Sequence, residues 1–131
     1  MSFQCVLVTP EQQVLDEQVA QAIVPAHDGL VGILTSRSPL LVQLAPGTLR
    51  VDMPGGGRRF FYVDGGVAQM KDNRLTILSK EAAPADQIDV EAARAEYAEA
   101  EARKTTDASG AKDREQQMAR ARAKQATVAA K

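Results

Sequence analysis

Residue types that could carry out chemistry are few and scattered in this chain of 131 residues. His27 is the only histidine and lies beside Asp28, with no nucleophile elbow elsewhere, so we interpret it as a surface loop residue. Cys5 lies in an apolar run, where a small buried hydrophobe is the default. The glycine triplet 55–57 lacks the Gly-Lys-Ser/Thr of a phosphate loop and predicts a hairpin turn. Because the acidic residues show no metal-ligand spacing either, the sequence predicts no enzyme, no metal site and no cofactor.

One basic stretch near the C-terminus is the remaining candidate for a binding function. It contains Arg114, Arg120, Arg122 and Lys124. Aromatic residues make up only 4% of the chain, tryptophan is absent and the net charge is −1. Base-stacking platforms and a global attraction for nucleic acid are therefore missing, which favours a solvated or protein-contacting face. No apolar run approaches the ~18–20 residues that span a bilayer, so we expect a soluble chain with no direct membrane insertion.

Composition changes sharply near Pro84. All six prolines and eight of the nine glycines lie in residues 1–84, whereas residues 85–131 contain 15 alanines and one glycine. Turn formers thus dominate before the break and helix formers after it. The sequence predicts a first domain over residues 1–84 and a second over residues 85–131.

The first domain has the pattern of short strands separated by turns. Predicted strands are 3–8, 19–24, 48–53, 59–64, 66–70 and 74–79, and Gly- or Asn-containing turns lie between several of them. No helical pattern of 10–15 residues separates these strands, which argues against a parallel βαβ sheet. We expect an antiparallel β-sandwich or barrel.

The second domain has the pattern of two helices, over about 88–104 and 111–129, with a break at 105–110. Asp86 is a candidate cap of the first helix, followed by Asp89 and Glu91 in the opening turns, where the helix dipole favours acids. Residues 85–102 have a net charge of −5 and residues 103–131 a net charge of +5, which suits an antiparallel hairpin. Large apolar residues are few there, so we expect the hairpin to dock weakly and to be able to detach.

Six short segments occur in a fixed order along the chain. They are 3–11 (containing Val-Thr-Pro-Glu), 24–41 (containing Gly-Leu-Val-Gly-Ile-Leu and Ser-Pro-Leu-Leu), 44–50 (Leu-Ala-Pro-Gly), 60–66 (ending Val-Asp-Gly-Gly), 75–78 (Leu-Thr-Ile-Leu) and 88–89 (Ile-Asp). Together with the alanine-rich helices, they resemble the epsilon subunit of F-type ATP synthases, called delta in mitochondria. The resemblance covers essentially the whole chain.

The resemblance implies an α+β fold with a sandwich of about ten strands followed by the helical hairpin. It implies a non-catalytic rotor subunit of the central stalk, which couples ion-driven rotation of the c-subunit ring through the gamma subunit to ATP synthesis. The coupling ion is H⁺ or Na⁺. The extended helices would enter the alpha/beta catalytic hexamer and restrain ATP hydrolysis. The expected location is peripheral, on the cytoplasmic face of the bacterial plasma membrane, within the complex.

The resemblance also assigns roles to residues. The rotor-contact turn comprises Gly29, Leu30, Gly32, Arg37, Pro39 and Leu40, with Leu30 where the family often has an acid. The basic stretch Arg114, Arg120, Arg122 and Lys124 becomes the inhibitory helix. Some bacterial members bind ATP through Ile-Asp-x-x-Arg-Ala; here Ile88 and Asp89 match, but Ala92 replaces the arginine. We therefore interpret Asp89 first as a helix-terminal charge and expect weak ATP binding at most.

Two other functions fit the residues alone. One is a free-standing β-sandwich adaptor whose basic helix binds a different partner. The other, which the absence of aromatic residues from the basic stretch disfavours, is an accessory domain that binds nucleic acid. Salt-sensitive retention on DNA would favour the second, whereas co-purification with a gamma-like coiled coil and the hexamer would favour the rotor subunit.

Overall fold

A computed structural model describes residues 2–35 and 39–130. Its strands are β1 (Phe3–Val8), β2 (Gln13–Val19), β3 (Gln21–Ala26), β4 (Gly29–Leu34), β5 (Leu40–Asp52), β6 (Arg58–Lys71), β7 (Arg74–Leu78) and β8 (Ala82–Pro84). A 3₁₀ turn (Ala85–Gln87) leads to two helices, α1 (Val90–Ala102) and α2 (Ala108–Ala130). The order of strands in the sheet is β2-β1-β7-β6-β5-β3-β4, and β8 also pairs with β6. Neighbours are antiparallel except for β1 and β7, which are parallel.

Two long strands join the layers of the sandwich. β5 has 13 residues and β6 has 14. The second half of β6 pairs with β7, and its first half pairs with β8. At the midpoint, Gly65 and Gly66 have positive φ values of 69° and 109°, and a Cβ at Gly66 would collide with the carbonyl oxygen of Leu78. These glycines let β6 pass from one layer to the other.

The number of strands is explained by the way β5 and β6 each run from one layer into the other. Counting each half of β5 and β6 separately yields the ten short strands of the expected sandwich, whereas the described chain has eight continuous ones. The predicted strands 59–64 and 66–70 are therefore the two halves of β6. The core cluster runs from Phe3 to Ala82 and draws on both layers, so the sheet closes over a single apolar core.

Several local predictions were wrong. The predicted strand 19–24 is divided at Ala20, where β2 ends and β3 begins. β2 itself was missed because four of its seven residues are exposed, which hides its buried Leu15 and Val19 in a polar segment. Asp89, not Asp86, caps α1, and α2 starts at Ala108, so Gly110 lies inside the helix. Asp107 favours this early start because its Oδ1 accepts from the Gly110 amide at 2.7 Å.

The helical hairpin packs on the outer face of the layer formed by β8, β6, β5, β3 and β4. Tyr62 of β6 lies under it and is fully buried, although it belongs to the face opposite the sandwich core. Thr127 of α2 is also buried, and its hydroxyl lies 2.8 Å from that of Thr48. Thr127 donates to the carbonyl of Ala123, so Thr48 is the donor of the bond between strand and helix. Small alanines in α2 allow this close approach.

Candidate functional site

The residues of the expected rotor-contact turn occupy the two ends of β4. Gly29, Leu30 and Gly32 lie in β4, which is an edge strand of the sheet, and Leu30 is 74% exposed. Pro39 and Leu40 lie beyond the far end of β4, where β5 begins opposite Met70. Arg37 lies outside the described residues. The described members are therefore divided between the edge strand β4 and the start of β5, and do not form a single cluster.

A second exposed apolar surface was not anticipated from the sequence. It consists of Leu41, Val67 and Leu78, which are 70%, 37% and 50% exposed. Val67 pairs directly with Leu78, while Leu41 pairs with Gln69, two residues from Val67 on the same face. We call these three residues the outer patch; it lies on the layer that the hairpin does not cover. The sequence feature that could have indicated this patch is the apolar run Leu40-Leu41-Val42. Side chains alternate between the two faces of a strand, so three consecutive apolar residues place at least one of them on the outer face.

The opening of α1 lines a small cavity between hairpin and sandwich. Its volume is ≈ 180 Å³, and its lining includes Ile88, Asp89, Tyr62 and Lys124. Asp89 Oδ1 accepts from the amides of Glu91 and Ala92 at 3.0 and 3.1 Å, which is the geometry of a helix cap. One oxygen of this carboxylate is thus already engaged in starting the helix.

The same cavity contains an unusual phenol. Tyr62 has a buried hydroxyl with no hydrogen-bond partner among the described residues. Burial, reinforced by the charges of Asp64 and Glu81, raises the pKa of Tyr62 far above its ordinary value, so the phenol is neutral. With Glu81, Glu96 and Asp89 against Lys124, the cavity lining has an excess of negative charge.

The four residues of the expected inhibitory helix differ in their surroundings. Lys124 is 17% exposed and forms ion pairs with Glu96 and Glu81 at 3.1 and 3.7 Å. Arg122 lies over the ring of Tyr97, 5.8 Å from its centroid. Arg114 donates to the carbonyl of Glu101 at 3.0 Å. Arg120 forms no ion pair within the described part of the chain. In this docked arrangement, three of the four cations therefore contact groups of the chain itself.

Chemistry-bearing groups do not converge elsewhere in the described residues. Among them, no three His, Cys, Asp or Glu side chains are placed to hold a metal ion. Neither helix, over residues 2–35 and 39–130, is both long and apolar enough to cross a membrane. The fold and its surfaces define a small two-part binding subunit: a β-sandwich with bare apolar strips and a docked, charged helical hairpin.

Comparisons with known proteins identify the family. The profile of the ATP synthase delta/epsilon chain β-sandwich domain matches residues 2–85. The ATP synthase epsilon chain of Rhodopirellula baltica is 39% identical over 100 residues, covering 76% of this chain and 77% of that one. That of Desulforamulus reducens is 42% identical over 99 residues, covering 74% and 73%.

A solved structure agrees with these sequence relatives. A chain of the Euglena gracilis mitochondrial ATP synthase, in an assembly of OSCP, F1 and c-ring, superposes with a TM-score of 0.85 at 26% identity. The match covers 95% of this chain and 80% of that one. The chain belongs to the ATP synthase delta/epsilon family. The family and the sandwich-plus-hairpin fold predicted from the sequence are thereby confirmed.

Proposed function

We propose that this subunit transmits torque through its sandwich and restrains ATP hydrolysis with its hairpin, without performing catalysis itself. Its partners in this proposal are the gamma subunit, the c-subunit ring and, when the helices are extended, the alpha/beta hexamer. It acts as a peripheral component of the complex on the cytoplasmic face of a bacterial plasma membrane. The single observation that carries the proposal is that the hairpin covers one layer of the sandwich, while the opposite layer bears the exposed outer patch.

The bare surfaces fit the torque-transmitting role. Leu30 along β4 and the outer patch on the opposite layer are apolar and exposed, as residues of a protein interface are before assembly. They lie on the sandwich, which the family profile covers from residue 2 to residue 85. That profile ends next to Pro84, which supports residues 1–84 as the rotor-binding domain and residues 85–131 as the regulatory one.

The hairpin fits the regulatory role because, when extended, it is long enough to enter the hexamer and its second helix is positively charged. Residues 88–130 drawn out as one helix would extend ~65 Å, since each helical residue rises 1.5 Å. Residues 103–131, which include α2, have a net charge of +5. An acidic loop of the hexamer would attract this charge. The buried residues of α2 are two alanines, Met118 and Thr127, so docking removes little apolar area of this helix from water.

Nucleotide binding has weak support in this chain. Ligand pockets usually enclose about 300–1,000 Å³, whereas the cavity at Ile88 and Asp89 has ≈ 180 Å³. Its lining is acidic, and Ala92 supplies no charge where an arginine would pair with phosphate. We therefore propose that ATP binds this docked form weakly, if it binds at all.

Truncation tests the regulatory role. A subunit ending at Ala85 should still bind the complex and support ATP synthesis, while the ATP hydrolysis rate should rise because the basic helix is gone. The measurement is the hydrolysis rate of complexes reconstituted with the full-length or the shortened subunit, over a range of ATP concentrations and membrane potentials. Neutralising Arg114, Arg120, Arg122 and Lys124 together is the matched full-length variant and should reproduce part of the rise, less so in high salt. Equal hydrolysis rates for all three subunits would exclude the proposed inhibition.

A further inference from the structure

Lys124 is the point at which both helices and the sandwich meet. Its ammonium group lies 3.1 Å from Glu96 Oε1 of α1 and 3.7 Å from Glu81 Oε1, in the segment that precedes β8. It also lies 5.5 Å from the centroid of the Tyr62 ring in β6. Among the described residues, Lys124–Glu81 is the one ion pair that joins the hairpin to the sandwich.

The surroundings of Lys124 explain why its charge is tolerated in a largely buried position. A buried ammonium group is unfavourable unless carboxylates pair with it, and two do so here. The face of an aromatic ring adds further attraction for the cation. Glu96 would travel with the hairpin on undocking, whereas Glu81 and Tyr62 would remain behind.

We propose that Glu81 and Tyr62 form a charge latch that holds Lys124, securing the docked hairpin and keeping this cation from any outside acidic partner. The two roles of Lys124 exclude each other, because its ammonium group lies against Glu81 only while α2 covers the sandwich. The latch rests on geometry alone. Its consequence for ATP hydrolysis rests on the proposed function: release of the latch frees a cation for the hexamer.

Hydrogen–deuterium exchange of the isolated full-length chain tests the latch. Lys124→Gln should speed exchange of the α2 amides about tenfold, which corresponds to ~1.4 kcal/mol. Glu81→Gln removes one half-exposed pair and should speed exchange about threefold. Amides of β1 and β7 should not change. Matched controls are Lys112→Gln and Glu11→Gln, which remove the same charges at exposed positions without ion pairs in the described structure.

Charge reversal makes the pairing itself testable. Lys124→Glu should speed α2 exchange beyond Lys124→Gln, because a third carboxylate then lies beside Glu81 and Glu96. Adding Glu81→Lys to that variant should recover protection. Exchange of Lys124→Gln equal to that of its control would overturn the latch, and so would the absence of recovery in the double variant.

Hydrolysis assays separate the latch from the proposed function. Glu81→Gln loosens the hairpin but leaves every cation of α2 in place, so the reconstituted complex should hydrolyse ATP more slowly. Lys124→Gln also loosens the hairpin but removes one of its cations, so it should slow hydrolysis less, relative to its effect on α2 exchange, than Glu81→Gln does. If Glu81→Gln speeds α2 exchange while hydrolysis is unchanged, the latch stands and the inhibitory role of the hairpin fails.

Discussion

At the scale of single residues, Cys5 shows how burial in the sandwich core changes the pKa of an ionisable side chain. It lies in the middle of β1 with none of its surface exposed. Burial, with a smaller contribution from the charge of Asp16, raises the pKa of its thiol from 9.0 to about 12. The thiol is therefore an inert part of the core, as its position in an apolar strand predicted.

This raised pKa makes the stability of the protein depend on pH in the alkaline range. The unfolded chain loses the thiol proton near pH 9 while the folded chain retains it to about pH 12. The contribution is thus fully present below pH 9 and is lost as pH rises. We expect the thiol to lower the free energy of unfolding by about 1.4 kcal/mol between pH 8 and pH 10.

Urea denaturation of the native chain and of Cys5→Ala at pH 8, 9 and 10 measures this effect. The variant is less stable at pH 8 because it loses packing, but the difference should shrink by the stated amount at pH 10. Tyr62 contributes equally to both chains and cancels. Two profiles that stay parallel across this range would contradict the assignment.

At the scale of elements, β4 and the outer patch are two separate apolar surfaces on the sandwich. Leu30 and Leu78 are both at least half exposed, so a carboxylate at either position remains in water in the free subunit. In a protein interface the same carboxylate would be desolvated without a partner.

We therefore expect Leu30→Asp and Leu78→Asp each to weaken binding to the gamma subunit and c ring about tenfold or more. The melting temperature of the free subunit should stay within a few degrees of the native value. Titration of each variant against a complex that lacks this subunit gives the affinity. Gln13→Asp, on the exposed edge strand β2, is the control. Native affinity for both leucine variants would place the rotor contacts elsewhere.

The sequence predicted elements well where buried residues dominate them and poorly where they do not. β1 has four buried residues in six, and its predicted bounds are correct. β2 escaped detection because only Leu15 and Val19 of its seven residues are buried and four of the others are polar and exposed. The sequence could not show that the predicted strands 59–64 and 66–70 form one continuous strand. Two consecutive glycines, Gly65 and Gly66, indicate a turn when the partner strand is unknown.

The candidate site shows the same limit. The family resemblance and the charge pattern made Leu30 and the basic residues of α2 candidates, which remain predictions. The positions of Glu81 and Tyr62 beneath Lys124 depend on contacts over more than 40 residues of sequence. No local pattern encodes such a contact. The segregation of charge between the two helices did predict that α2 cations would meet acids, and Lys124–Glu96 is such a pair.

At the scale of the whole molecule, the apolar core belongs to the sandwich alone. Its cluster begins at Phe3 and ends at Ala82, so no helical residue takes part in it. The hairpin adds a separate contact on the outer face, centred on Tyr62 and Thr48.

We expect residues 1–85 to fold without the hairpin. The shortened chain should show β-type circular dichroism and a single cooperative thermal transition, at a temperature below that of the full chain because Tyr62 and its surroundings become exposed. The matched full-length control is Lys124→Gln, which loosens the hairpin without removing it. A shortened chain with no cooperative transition would refute the division into two domains.

The burial of Tyr62 has an optical consequence. The chain has two tyrosines and no tryptophan, so its near-ultraviolet absorbance and fluorescence are dominated by Tyr62 and Tyr97. Each ring lies beneath a cation of α2, Tyr62 under Lys124 and Tyr97 under Arg122. Undocking of the hairpin would move Tyr62 from a charged, dry contact into water, whereas Tyr97 of α1 would travel with Arg122 and supply a steady background. The subunit therefore contains a label-free indicator of where its own helix lies, one that can be followed in a stopped-flow cuvette.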